Sequence, residues 1–159
     1  MSQNKVNVAL LEHSDRDYVS SMIHLVFESI GYEADITNLK VSQSEVEGGK
    51  SVFSKRVIDV FVADLSLGSV ENYTGLDYVR LVKTNHPEVL TIAVSKHEIT
   101  YADAATRTPS FDVFIHKSLF RTDKYKQHVI NQVAIAFRRN VALVLDQENS
   151  DLGTFQRPA

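Results

Sequence analysis

Short apolar runs and helix-period segments take turns along this chain, and that alternation most limits what it can fold into. Residues 6–11 form a brief apolar run broken only by Asn7, the length of a buried strand. Ser14, with Asp17 three positions on, has the form of a helix-capping pair. Tyr18, Met22, Val26 and Ile30 then recur at four-residue spacing, as on one face of a helix, and Gly31 supplies a stop. Residues 32–39 read as a second strand. Residues 40–56, with Gly48 and Gly49 among many polar side chains, read as a loop plus a weak helix. A third strand, 57–63, ends at Asp64. A loop, 68–75, and a helix, 76–84, follow. Pro87 breaks that helix before a fourth strand, 89–94, which ends at Ser95. Residues 98–107 read as a weak helix, and 112–116 as a last strand with Lys117 directly after it.

A long helical pattern closes the chain over 122–145, with Tyr125, Val129, Val133, Phe137, Val141 and Leu145 along one stripe. The segment from Asp146 to the end is polar and contains Gly and Pro, so it is expected to be an unstructured tail. The reading is therefore one domain over 1–145 and a tail over 146–159.

Strand and helix alternate five times. That order calls for an α/β fold, a parallel sheet covered by helices on both faces. Sheets of this kind carry their sites outside the carboxyl ends of the strands. The residues that end the strands are Glu12 and His13, Asp64, Ser95 and Lys117.

Composition removes several classes. There is no cysteine, which excludes disulfides and thiolate metal sites. Lys and Arg number 17 against 20 Asp and Glu, so the basic surplus of a dedicated nucleic-acid binder is missing. The first apolar run is too short for a secretory signal, and no run approaches a membrane span. The expectation is a soluble, cytoplasmic protein.

The strand-end set has a coherent chemistry. A carboxylate such as Asp64 can act as a nucleophile toward phosphorus. Acidic neighbours can hold Mg²⁺, which prefers oxygen ligands. The Ser95 hydroxyl can donate to a phosphoryl oxygen, and the Lys117 ammonium can pair with phosphoryl charge or with Asp64 itself. Chemistry of this kind consists mostly of positioning and charge neutralisation.

With these residues in order, the chain resembles the response-regulator receiver family over about 6–139. Glu12-His13 stands where the family has its acidic pair, and Val60-Phe61-Val62-Ala63-Asp64-Leu65 matches the phosphoacceptor strand. Gly75-Leu76-Asp77 matches the start of the helix that follows. Ser95 falls at the switch hydroxyl, and Phe114-Ile115-His116-Lys117 matches the last strand, with Phe114 as the switch aromatic. The resemblance implies a three-layer, flavodoxin-like (βα)5 fold with strand order 2-1-3-4-5 and an extended last helix. It implies Mg²⁺ held by Glu12, Asp64 and the residue at His13. It implies phosphorylation of Asp64 by a histidine kinase, a phosphotransfer protein or a small phosphodonor. Ser95 and Phe114 would then move, and the face of the fourth helix, fifth strand and fifth helix would change its affinity for a downstream effector. This is a two-component signalling domain rather than an enzyme, apart from self-catalysed phosphoryl transfer.

The departures from the family are specific. His13 replaces a metal-binding carboxylate, and imidazole suits Zn²⁺, Cu²⁺ or Ni²⁺ better than Mg²⁺. Asp15 is close enough in sequence to substitute for it. Lys96 follows Ser95 where a small residue is common. Ser118 follows Lys117 where proline is usual, and the loop 65–73 is long and lacks the usual proline. A second reading stays open beside the switch: a pseudo-receiver that works as a phosphorylation-independent interaction module. A third, a small enzyme or nucleotide binder of the same architecture, lacks a glycine-rich phosphate loop. The last helix is longer than the fold requires. Val141, Val144 and Leu145 would make an apolar patch past the domain edge, so a two-fold homodimer through this helix is expected.

Overall fold

In a computed structural model the structure describes residues 4–12, 15–39, 58–65, 75–96 and 111–156. Five strands are present among them: β1 (Asn4–Leu11), β2 (Tyr32–Asn38), β3 (Val60–Asp64), β4 (Leu90–Ser95) and β5 (Val113–His116). The helices described are α1 (Arg16–Ser29), α2 (Gly75–Asn85) and α3 (Asp123–Gln156), with a 3-10 turn at Leu119–Arg121 before α3. The strands form one parallel sheet in the order β2-β1-β3-β4-β5. This is the α/β fold class and strand order expected from the sequence.

The central strands are apolar on both sides because both sides are covered. All of β3 and β4 is buried. In β1 the pleat sends Val6, Val8 and Leu10 to one face, where they meet Val19, Ile23 and Phe27 of α1 and Val129 and Val133 of α3. It sends Ala9 and Leu11 to the other, with Phe61 and Ala63, against Tyr78, Val79 and Val82 of α2. β2 lies at the sheet edge and buries only Ala34, as its mixed composition requires.

The two polar interruptions in the strand patterns have partners. Asn7 donates its backbone N–H to Asp59 Oδ2 at 2.8 Å, and Asp59 returns its own N–H to the Asn7 carbonyl at 2.9 Å. At the same amino-terminal side of the sheet, Asp112 accepts from Lys83 Nζ at 2.8 Å and from the Thr91 N–H at 2.9 Å. This ties α2 and β4 to the entry of β5.

Some boundaries differ from the sequence reading. Helix α1 begins after Asp15, which stands in the N-cap position without a side-chain capping bond, so Asp15 replaces the expected cap at Ser14. Of the four-residue stripe on α1, Met22 and Val26 are buried, whereas Tyr18 is 38% exposed. The buried face turns toward Val19, Ile23 and Phe27 instead. Gly31, at φ +93°, ends the helix where a side chain would be strained. Helix α3 passes the end read at Leu145 and runs to Gln156, so most of the expected tail is helical. No apolar stripe is needed for this, since each added residue gains one backbone hydrogen bond once a helix exists. The weak helices read at 40–56 and 98–107, the loop ahead of Gly75, and His13 and Ser14 lie outside the described residues.

Candidate functional site

Parallel pairing fixes which residues meet at the carboxyl rim. Leu11 pairs with Ala63, so Glu12 and Asp64 leave their strands side by side. Asp64 pairs with Val94 and Ser95 with His116, which carries the rim on to Lys117. The Lys117 N–H donates to the Ser95 carbonyl at 2.9 Å. The lysine is also held from below, where the Tyr18 hydroxyl donates to its carbonyl at 2.9 Å.

Three carboxylates gather on one ammonium. Lys117 Nζ donates to Asp64 Oδ2 across 53 positions of sequence. It lies 3.1 Å from Glu12 Oε2 and 3.4 Å from Asp15 Oδ2. Glu12, Asp64 and Lys117 are all buried, at 1%, 4% and 3% exposure, so their charges are desolvated and each depends on the others. Asp15 sits at the mouth, where Lys96 reaches its Oδ2 at 3.1 Å from the solvent side. The Asp15 backbone N–H donates to Glu12 Oε1 at 3.2 Å.

Electrostatics follow from this packing. Burial raises the Glu12 pKa above the usual carboxylate range, and hydrogen bonding and repulsion from Asp64 push the same way. Lys96, foremost, holds the Asp15 carboxyl below that range. Burial alone would pull Lys117 down, but Asp64 and then Glu12 outweigh it, and the lysine titrates above its ordinary value.

The structure thus brings together Glu12, Asp64 and Lys117 of the expected set, and places Ser95, fully buried, beside Val94, the strand partner of Asp64. Phe114 is half-buried. Its ring is tilted on that of Phe111 with centroids 6.1 Å apart, and it packs against Leu65 and Ala93. Three contributors were not read as working parts from sequence. Asp15 appeared only as a possible stand-in for His13, Lys96 only as a departure in residue type, and Tyr18 only as part of a helix stripe. No spacing rule links any of them to Lys117, because the contacts cross between strand ends and a helix start.

The donor set suits a hard divalent cation. Glu12, Asp15 and Asp64 offer only oxygen, and the Lys117 ammonium already stands as a cation at the point they share. As they stand, no group of three acidic or imidazole side chains among the described residues is placed to hold a metal ion.

No family model matches this sequence, and no curated protein matches it. Solved structures do. A response-regulator receiver domain from Clostridium thermocellum superposes over 87% of this chain and 98% of its own, with 16% identity and a TM-score of 0.57. The fold is that of response-regulator receivers. TrrA of Thermotoga maritima, a response regulator solved in complex with Mg²⁺-BeF, shares it over 81% of this chain and 98% of its own, at 18% identity and a TM-score of 0.50. NtrX of Brucella abortus, solved with ADP, matches over 98% of this chain but 30% of its own, at 17% identity and a TM-score of 0.60. At these identities the likeness to receivers is one of fold. Among the described residues, no helix of this receiver fold is long and apolar enough to cross a membrane.

Proposed function

We propose that this protein is a phosphorylation-dependent switch of two-component signalling, with Asp64 as phosphoacceptor. The observation that carries the reading is the buried contact of Asp64 with Lys117 at the carboxyl rim of a receiver-fold sheet. An Asp64 carboxylate oxygen attacks the phosphorus of a phosphohistidine or an acyl phosphate. The bond from phosphorus to the donor nitrogen or oxygen breaks, the donor leaves with that electron pair, and an aspartyl phosphate remains. Lys117 then exchanges its carboxylate partner for a phosphoryl oxygen. Ser95 supplies a hydroxyl donor to the phosphoryl group, and Phe114 reports its movement to the β5 surface. Glu12, Asp15 and Asp64 are the residues that would hold Mg²⁺, which would supply charge neutralisation to the phosphoryl group. The upstream partner is a histidine kinase or phosphotransfer protein, and the downstream partner an effector protein.

The test is intact-mass analysis of the full chain with acetyl phosphate and Mg²⁺, and with beryllofluoride. The expected result is one phosphoryl adduct on wild type and none on Asp64→Asn. Identical behaviour of the two proteins would reject the reading. A phosphorylation-independent interaction module is the second reading, favoured by one observation: lysines already occupy the carboxylates that the metal would use.

The same proposal includes a two-fold homodimer through the outer half of α3. Val141 is 41% exposed, and the helix continues to Gln156. Val141, Leu145, Leu152 and Phe155 recur at the spacing of a coiled-coil seam. A chain cut after Val141 is expected to be a monomer by light scattering while the full chain is a dimer. Equal masses for both would remove this part of the proposal.

A further inference from the structure

We propose that Lys96 is a built-in competitor for the divalent cation, holding Asp15 in an arrangement that excludes the metal. This rests on the phosphoacceptor reading, because it concerns the carboxylates of the same site.

Lys96 follows Ser95, the last residue of β4, so its backbone is fixed at the rim. Its side chain is 56% exposed, and its ammonium lies 3.1 Å from Asp15 Oδ2. That same oxygen is 3.4 Å from Lys117 Nζ. One carboxylate oxygen therefore serves two ammonium groups that come from the ends of neighbouring strands. Asp15 occupies the N-cap position of α1, where an aspartate usually caps the helix with its side chain. Here it makes no capping bond. Its carboxylate is turned to the lysines, and its backbone N–H is held by Glu12.

The two lysines differ in what releasing Asp15 would cost. Lys117 is buried between Glu12 and Asp64 and cannot leave without stranding both. Lys96 is half in water and can swing away at small cost. Asp15 becomes an oxygen ligand only when Lys96 lets go. An ammonium that stays close repels the incoming dication, so pairing and repulsion act in the same direction. An exposed pair is weak, but a like charge within a few ångströms of a dication adds to it, and together they correspond to about three- to ten-fold in Mg²⁺ affinity at low salt. The difference shrinks as salt screens the exposed lysine.

The test is a Mg²⁺ titration of the full chain followed by backbone-amide NMR, with Lys96→Ala, Lys96→Arg, Asp15→Asn and the double variant Lys96→Ala with Asp15→Asn. Lys96→Ala is expected to bind Mg²⁺ about three- to ten-fold more tightly than wild type, with Lys96→Arg close to wild type. In the Asp15→Asn background most of the gain from Lys96→Ala is expected to disappear. Equal affinity of Lys96→Ala and wild type would overturn the proposal. So would an undiminished gain without Asp15, which would mean a general charge effect. If wild type forms the beryllofluoride adduct while Lys96→Ala leaves Mg²⁺ affinity unchanged, only this proposal fails. If no variant binds Mg²⁺ in an Asp64-dependent way and no adduct forms, the phosphoacceptor reading fails and takes this one with it.

Discussion

Replacing Lys117 with Met is expected to lower the stability of the fold by about 3 kcal/mol at neutral pH, the range for breaking a buried ion pair from one side. The lysine is 3% exposed and its ammonium is the shared partner of Glu12 and Asp64, which are buried as well. Met keeps much of the volume and removes the charge, so the loss reports two stranded carboxylates rather than a cavity. The pH dependence carries a definite sign. In wild type the Lys117 pKa is raised, so its contribution is present at neutral pH and is lost only as pH climbs through that raised value. The Glu12 pKa is raised by burial and by Asp64, so the folded state favours its protonated form, and its contribution weakens as pH rises through that value. Without the lysine Glu12 loses the opposite charge that lowers its pKa, and favours protonation more strongly. The gap between wild type and Lys117→Met should therefore narrow as pH falls from 7 toward the carboxylate range. Urea unfolding at several pH values measures it. A gap that is absent at pH 7, or that widens in acid, would mean the three groups do not share one buried cluster.

The same cluster shows how far sequence carries. The strands were legible because parallel strands covered on both faces must be almost wholly apolar, and 60–64 and 90–94 are. Once the order of elements was fixed, Glu12, Asp64, Ser95 and Lys117 followed, since each ends or follows a strand and all carboxyl ends lie at one rim. What could not be read were contacts between elements with no common period. The preference of Asp15 for Lys96 over its own helix start is set by where β4 ends relative to α1. Tyr18 reads as an apolar stripe residue on any helical wheel, yet its hydroxyl meets the Lys117 carbonyl. The α3 end was misplaced for the opposite reason. The apolar stripe read from the sequence ends at Leu145, but helical hydrogen bonding continues to Gln156.

Phe137→Ala is the second substitution expected to have a large effect, a loss of about 3 kcal/mol. Phe137, on the buried stripe of α3, is 9% exposed. Its ring meets Phe27 of α1 edge-on at 5.8 Å and Tyr32 of β2 edge-on at 5.0 Å. One side chain therefore joins three elements, and Asn140, whose side chain donates to the Glu88 carbonyl at 3.3 Å, anchors the helix farther along. Phe137→Leu retains most of the apolar volume and loses the ring geometry, so it should cost only about 1 kcal/mol. Because Val141, one turn farther along α3, is already 41% exposed, the loss should be unevenly distributed. Amides of α3 from Phe137 onward should exchange hydrogen faster in Phe137→Ala than those around Val129, which stays buried against the sheet. Uniform loss of protection along the whole helix would mean α3 detaches as a unit, and Phe137 would then be one core residue among several. Faster exchange confined to the outer half would make Phe137 the hinge pin between the sheet and the part of α3 proposed to form the dimer.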